Sequence, residues 1–122
     1  MGERRGGFRQ AMRRLFQSDA EAADQVLAQE AKRSGCTQVT DCHVRDRVNL
    51  QGMVNCLTIE PRGDRRWLEA ELTDGTGKVT LVWMGRDHIP GIESGRRLRV
   101  QGRLANDHGR KVIFNPEYRI VG

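Results

Sequence analysis

The stretch Leu68-Glu69-Ala70-Glu71-Leu72-Thr73-Asp74-Gly75-Thr76-Gly77-Lys78-Val79-Thr80-Leu81-Val82-Trp83 decides the fold. Apolar and polar residues alternate on both sides of Asp74–Gly77, the period of half-buried strands. Asp and Gly supply the turn between them. A four-residue turn at 74–77 sets Thr73 opposite Lys78, Leu72 opposite Val79, Ala70 opposite Leu81 and Leu68 opposite Trp83. Each apolar residue then meets an apolar one on the same face, as a stable antiparallel register requires. Glu71/Thr80, Glu69/Val82 and Trp67/Met84 fall on the outer face. This register makes Trp83 a core residue and Trp67 the exposed aromatic.

The same period recurs outward from this hairpin. Val48, Leu50, Gly52 and Val54 share one face, as do Leu98, Val100, Gly102 and Leu104. Val112 and Phe114 begin a last strand that resumes after Pro116 with Ile120. Turn residues at Arg62-Gly63-Asp64, Ile89-Pro90-Gly91 and Asn106-Asp107-His108-Gly109 separate the strands. No helical pattern lies between strands, which excludes a parallel βαβ sheet. Gly52 and Gly102, inward-facing in mid-strand, permit sharp bends. Five bent antiparallel strands coil into a small closed barrel, which removes exposed edges. The expected class is all-β: a five-stranded Greek-key barrel behind an N-terminal helical extension.

Ahead of the strands the period is 3.6. Ser18-Asp19-Ala20-Glu21 reads as a capping box, and Lys32, Arg33 and Gly35 suit a helix C-terminus. The spacing predicts an amphipathic helix over about 19–34. A shorter helical stretch is expected over Phe8 to Phe16, within residues 1–17, which carry Arg4, Arg5, Arg9, Arg13 and Arg14 against one acid, Glu3. Residues 1–36 thus form a basic segment plus helix, and 37–122 the barrel domain.

At 122 residues and a formal net charge of +5 the chain fits one domain with a modest core. Its longest strongly apolar run, 79–84, is far below the roughly 20 residues a membrane helix needs. The N-terminus has no apolar signal-peptide core, so the expected location is cytoplasmic and no membrane partner is expected. Cys36, Cys42 and Cys56 are odd in number and lack C-x-x-C spacing. They read as reduced thiols, and Cys42-His43 lacks the second ligand pair that zinc requires. No metal and no cofactor is expected.

Val48-x-Leu50-x-Gly52-x-Val54, then Leu72-Thr73-Asp74-Gly75-Thr76-Gly77-Lys78-Val79-x-Leu81-x-Trp83, then Gly95-x-x-Leu98-x-Val100-x-Gly102-Arg103, resemble the anticodon-binding-type OB fold. The ending Phe114-Asn115-Pro116-Glu117-Tyr118 is similar to the close of the wedge domain in RecG-type branch-migration helicases. The likeness covers about residues 44–121 and extends to small stand-alone bacterial OB-fold proteins. It implies binding of single-stranded or branched nucleic acid, in repair or recombination, without a motor of its own.

OB folds bind oligonucleotides across strands two and three and the loops joining strands 1–2 and 4–5. The 1–2 loop, about 57–66, contains Arg62, Arg65 and Arg66; the 4–5 loop holds Asn106, His108, Arg110 and Lys111. Guanidinium groups form paired hydrogen bonds to phosphate, and each neutralised phosphate releases counterions. Trp67 is the stacking candidate, and Lys78 and Arg86 flank the same surface. Arg97, Arg99, Gln101 and Arg103 alternate outward as a basic stripe elsewhere. Glu69 and Glu71 lie on the strand-two face, where they pair with Arg47 or Lys78. Phe114, Tyr118 and Trp83 are expected in the core.

No phosphate-binding G-x-x-x-x-G-K-[ST] and no G-x-S-x-G elbow occurs. Asp74 has no second copy to form a carboxylate dyad. The chain therefore reads as a non-catalytic nucleic-acid-binding module, with DNA favoured and RNA allowed. The alternative is a protein-interaction module that uses the helix at about 19–34 and the strand-two face.

Overall fold

The computed structural model describes residues 19–122. A helix, α1, spans 19–33 and leads through a 3₁₀ turn at Val39–Asp41 into six strands. These are β1 (Arg47–Arg62), β2 (Arg65–Thr73), β3 (Lys78–Met84), β4 (Arg97–Asp107), β5 (Arg110–Phe114) and β6 (Glu117–Val121). The capping residue Ser18 and the stretch 8–16 lie outside the described residues.

The strand order is β1-β2-β3-β5-β4-β6, and β1 also pairs with β4, so β1, β2, β3, β5 and β4 form a closed ring. All pairings are antiparallel except β3 with β5. The β2–β3 register is the one the alternation predicts, from Thr73↔Lys78 to Trp67↔Met84. Closure depends on β1 serving two neighbours: Arg47 to Met53 pair with β4, and Met53 to Arg62 pair with β2. The changeover falls beside Gly52, where a Cβ would collide with the Thr73 backbone carbonyl. Glycine is required there because one strand's backbone crosses close over another's.

The interior is aliphatic. Leu50, Leu72, Leu81, Leu98 and Val100 are fully buried, and Val39 and Cys42 from the 3₁₀ turn join the same cluster. Trp83 lies in this core, its indole N–H donating to the Pro116 carbonyl at 3.3 Å and its ring edge-on to Tyr118 at 5.8 Å. The Asn115-Pro116 break divides the expected last strand into β5 and β6. Asn115 adopts a positive φ of 49°, and its side chain accepts from the Met84 N–H at 3.0 Å. With β5 held between β3 and β4, and β6 returned along β4 alone, the chain forms six strands rather than five.

One carboxylate fastens the N-terminal elements to the ring. Asp74 is fully buried. Its Oδ1 accepts from the Thr76 N–H (2.9 Å), the Thr76 hydroxyl (2.6 Å) and the Gly77 N–H (3.1 Å). Its Oδ2 accepts from the Val39 N–H at 2.8 Å, across 35 residues of sequence. The turn so held receives α1: Gly75, at φ +84°, lies where a Cβ would strike the Asp24 backbone carbonyl. Leu27 and Ala31 are buried on that helix face, and Glu30 reaches Arg97 Nε at 3.1 Å. The helix ends one residue earlier than predicted, since the Ser34 hydroxyl turns back to the Ala31 carbonyl.

Asp74→Ala is expected to cost about 3 kcal/mol, because a buried N–H and a turn lose their acceptor together. Asp74→Asn keeps Oδ1 but turns an NH₂ toward the Val39 N–H, and is expected to cost about 1–2 kcal/mol. Urea unfolding with an unchanged m-value measures both. An Asp74→Ala loss below about 0.5 kcal/mol, within the range of ordinary surface substitutions, would show that the carboxylate does not hold the turn.

Candidate nucleic-acid interface

Residues 57–66, expected as a loop, are mostly strand. β1 continues to Arg62 and turns back over only Gly63 and Asp64. A register shift between Val54 and Cys56 marks where this hairpin leaves the ring. Beyond it both faces are largely exposed, so Leu57 and Ile59 are 38% and 52% accessible. The hairpin therefore carries side chains outward on a paired scaffold rather than on a flexible loop.

Strand parity then sorts the candidate residues. Arg65, Trp67, Glu69 and Glu71 project to the outer face of β2, whereas Arg66 has the inward parity of Leu68. Arg66 instead reaches Asp87 at 3.3 Å. The β4–β5 connection is a two-residue turn, His108-Gly109, with φ of 52° and 86°, so Asp107 faces Arg110. Arg110 shares the outer parity, while Lys111 turns the other way and donates to the Val39 carbonyl at 2.9 Å. Lys111 thus ties the 3₁₀ turn to β5.

The two basic connections and the indole meet. Arg62, Trp67, Glu69, His108, Arg110 and Phe114 line one groove of about 430 Å³, floored by the buried Val82. Trp67 is half-buried because the Arg62 guanidinium stacks on its ring, 4.8 Å from the centroid. Phe114 corrects the expectation that it is core: it is 40% exposed, on the outer face opposite Val82. Its inward place goes to Ile113, which sits opposite Leu81. Val112, Ile113 and Phe114 are consecutive apolar residues, so alternation alone leaves their phase open. The pairing of β5 with β3 sets it.

Other candidates lie beside the groove. Arg65 and Arg66 line an adjoining depression with Gly85 and Asp87, and Arg86 sits exposed in the turn between those two. Lys78 and Lys111 line a second depression on the far side of Arg110. Cys42 is buried and donates to the Gln38 carbonyl, and burial raises its thiol pKa; His43 is exposed.

The groove is electrically balanced. Arg62 pairs with Glu60 at 3.7 Å, and Arg110 with Asp107 at 3.0 Å and Glu69 at 3.6 Å; in the second depression Lys78 pairs with Glu71 at 3.2 Å. Glu71 therefore takes its expected partner, but Glu69 pairs with Arg110, and Arg47 goes to Glu117. Hydrogen bonds from Arg110, and then from His108, hold the Asp107 carboxyl below its ordinary pKa. The Asp107 hydrogen bond, and then the Glu69 charge, raise the already high Arg110 pKa.

Two solved structures are similar to this chain in fold. RecG bound to a three-way DNA junction aligns with a TM-score of 0.60 and 23% identity, over 68% of this chain and 12% of that one. The p204 HINb domain aligns with a TM-score of 0.56 and 18% identity, over 70% of this chain and 47% of that one. The chain thus matches under half the length of either, and the likeness shows an OB-like, all-β fold. No protein-family model and no curated protein matches the sequence. Among the described residues no helix is long and apolar enough to cross a membrane.

Because the Asp107 pKa is lowered in the folded state, its contribution is present above the ordinary carboxylate range and is lost as pH falls through the lowered value. Carboxyl NMR titration should show an acid-shifted Asp107 midpoint that returns toward normal in Arg110→Ala. An unchanged midpoint in that variant would show that Arg110 does not hold the carboxylate.

Proposed function

We propose that this protein is a non-catalytic nucleic-acid-binding module that takes single-stranded or branched DNA in its groove. The observation that carries this reading is the convergence of Trp67 and Phe114 with Arg62, His108 and Arg110 in one open groove. Two aromatic rings stack on the faces of unstacked bases, and guanidiniums beside them donate to phosphate oxygens. The likeness to a RecG chain solved on a three-way DNA junction supports branched DNA, and with it a role in repair or recombination.

Binding in this groove is an exchange of ion pairs. Arg110 must give up Asp107 or Glu69, and Arg62 must give up Glu60 or its stack on Trp67, before either meets a phosphate. Affinity is therefore modest, strongly salt-dependent and weakly selective for sequence.

Fluorescence anisotropy with a labelled single strand and a labelled three-way junction at low salt tests the reading. Trp67→Ala with Phe114→Ala is expected to weaken binding at least tenfold, since each stacked base contributes about 1–3 kcal/mol. Bound oligonucleotide should quench the Trp67 emission and leave that of the buried Trp83. Absence of binding at micromolar protein would refute the proposal.

The internal acids give a gain-of-function check. Glu69→Gln with Asp107→Asn releases Arg110, and should tighten binding several-fold in the same assay. Equal or weaker binding would show that Arg110 does not contact phosphate.

A further inference from the structure

The groove's cations are matched by acids, and four of the chain's five net positive charges come from residues 1–17, with five arginines against Glu3. A longer row of arginines lies on the other side of the ring. On the outer face of β1, β4 and β6, the register turns Arg47, Arg97, Arg99, Arg103 and Arg119 in one direction. Arg47 lies directly opposite Arg103, and Arg99 directly opposite Arg119. Like charges directly opposed across antiparallel strands destabilise the pair.

Only two carboxylates relieve this face within ion-pair distance among the described residues. Glu117 approaches Arg47 at 3.7 Å, and Glu30 from α1 approaches Arg97 at 3.1 Å. Arg99 is held by a neutral partner instead: Gln51 Oε1 accepts from its Nη2 at 2.7 Å and its Nε at 3.2 Å. That fork is oriented without losing its charge, which lowers the ordering cost of meeting an anion. Arg103 is likewise oriented by a neutral acceptor, the Arg45 carbonyl, at 2.9 Å.

Arg99 and Arg119 line a depression of about 310 Å³ with Asn49, Gln101, Glu117 and Tyr118. Asn49, which also lines the depression, has a buried Oδ1 without a hydrogen-bond partner among the described residues. Phosphate oxygens are the counterpart that the Arg99 and Arg119 guanidiniums fit. Along β4, Arg97 and Arg99 are spaced by about 6.8 Å, and Arg97 to Arg103 spans about 20 Å. This is a cationic track, interrupted at Gln101, suited to the repeating charge of a phosphodiester backbone. No stacking ring is offered: Tyr118 has inward parity, opposite Val100, and its hydroxyl donates to the Pro90 carbonyl.

We infer that the β1–β4–β6 face is a second nucleic-acid site, one that holds sugar–phosphate backbone without reading or stacking bases. The site stands on its own residues. With the groove occupied as well, the ring would bridge two segments of nucleic acid on opposite sides.

The test is Arg99→Gln with Arg119→Gln, in the parent and in the Trp67→Ala/Phe114→Ala background. Thermal unfolding should be unchanged or improved, since one directly opposed pair of like charges is gone. The slope of log affinity against log salt for a single-stranded oligonucleotide should fall by about 1.4, from two lost phosphate contacts. Trp67 quenching should persist. Energy transfer between two non-complementary oligonucleotides, each carrying one dye, should appear with the parent protein and vanish with Arg99→Gln/Arg119→Gln.

An unchanged salt slope in both backgrounds would overturn the second site. So would poly-glutamate competing with the binding that remains in the Trp67→Ala/Phe114→Ala background better than an oligonucleotide of equal charge, which would assign the face to an acidic protein. If the aromatic substitutions change nothing while the arginine substitutions abolish binding, the groove reading fails and this one stands.

Discussion

The structure depends on one strand having two partners. β1 pairs with β4 through its first half and with β2 through its second, and without both the ring stays an open sheet with exposed edges. The changeover is possible because the Gly52 position, lacking a side chain, lets the Thr73 carbonyl approach. The same strand then overshoots the ring, and its excess length becomes the hairpin that presents Arg62 to Trp67. Closure of the core and projection of the candidate site are thus two consequences of one bend.

Asp74 extends this economy to the N-terminal elements. A turn of sequence Asp-Gly-Thr-Gly closes a hairpin by its own chemistry. Here the carboxylate also reaches the Val39 N–H, so the turn anchors the segment that plugs one end of the ring, while its glycine admits the helix backbone. Burying a lone carboxylate is unfavourable unless its oxygens are well supplied with donors. Four donors meet that condition. α1 therefore serves as a docked cover through Leu27 and Ala31, the simplest use of its apolar face.

Charge and aromatic surface are separated around the ring. The β2–β3–β5 face carries two accessible rings, with Arg62, Lys78 and Arg110 paired to neighbouring acids; of the five arginines on the β1–β4–β6 face, two are held by acids and two by neutral groups. Coulomb attraction is long-ranged relative to stacking, with a reach of about 8–10 Å at ordinary salt. A polyanion would accordingly feel the second face from a distance, and the first only on contact.

Local periodicity was enough to specify the β2–β3 hairpin residue for residue, the inward and outward sets on β1 up to Val54 and on β4, the inward-facing Gly52, and Trp83 in the core against Trp67 outside. Alternation and turn length are short-range properties, so they can be read from neighbours in the chain. It could not specify the phase of Val112-Ile113-Phe114, where three apolar residues in succession remove the signal. Only the pairing of β5 with β3 and β4 turned Phe114 outward and put a second ring in the groove. Nor could it foresee that Lys111 and Arg66 would turn aside, or that Arg110 would meet Glu69. Those outcomes depend on strand parity and on contacts between residues distant in sequence, which exist only once the ring has closed.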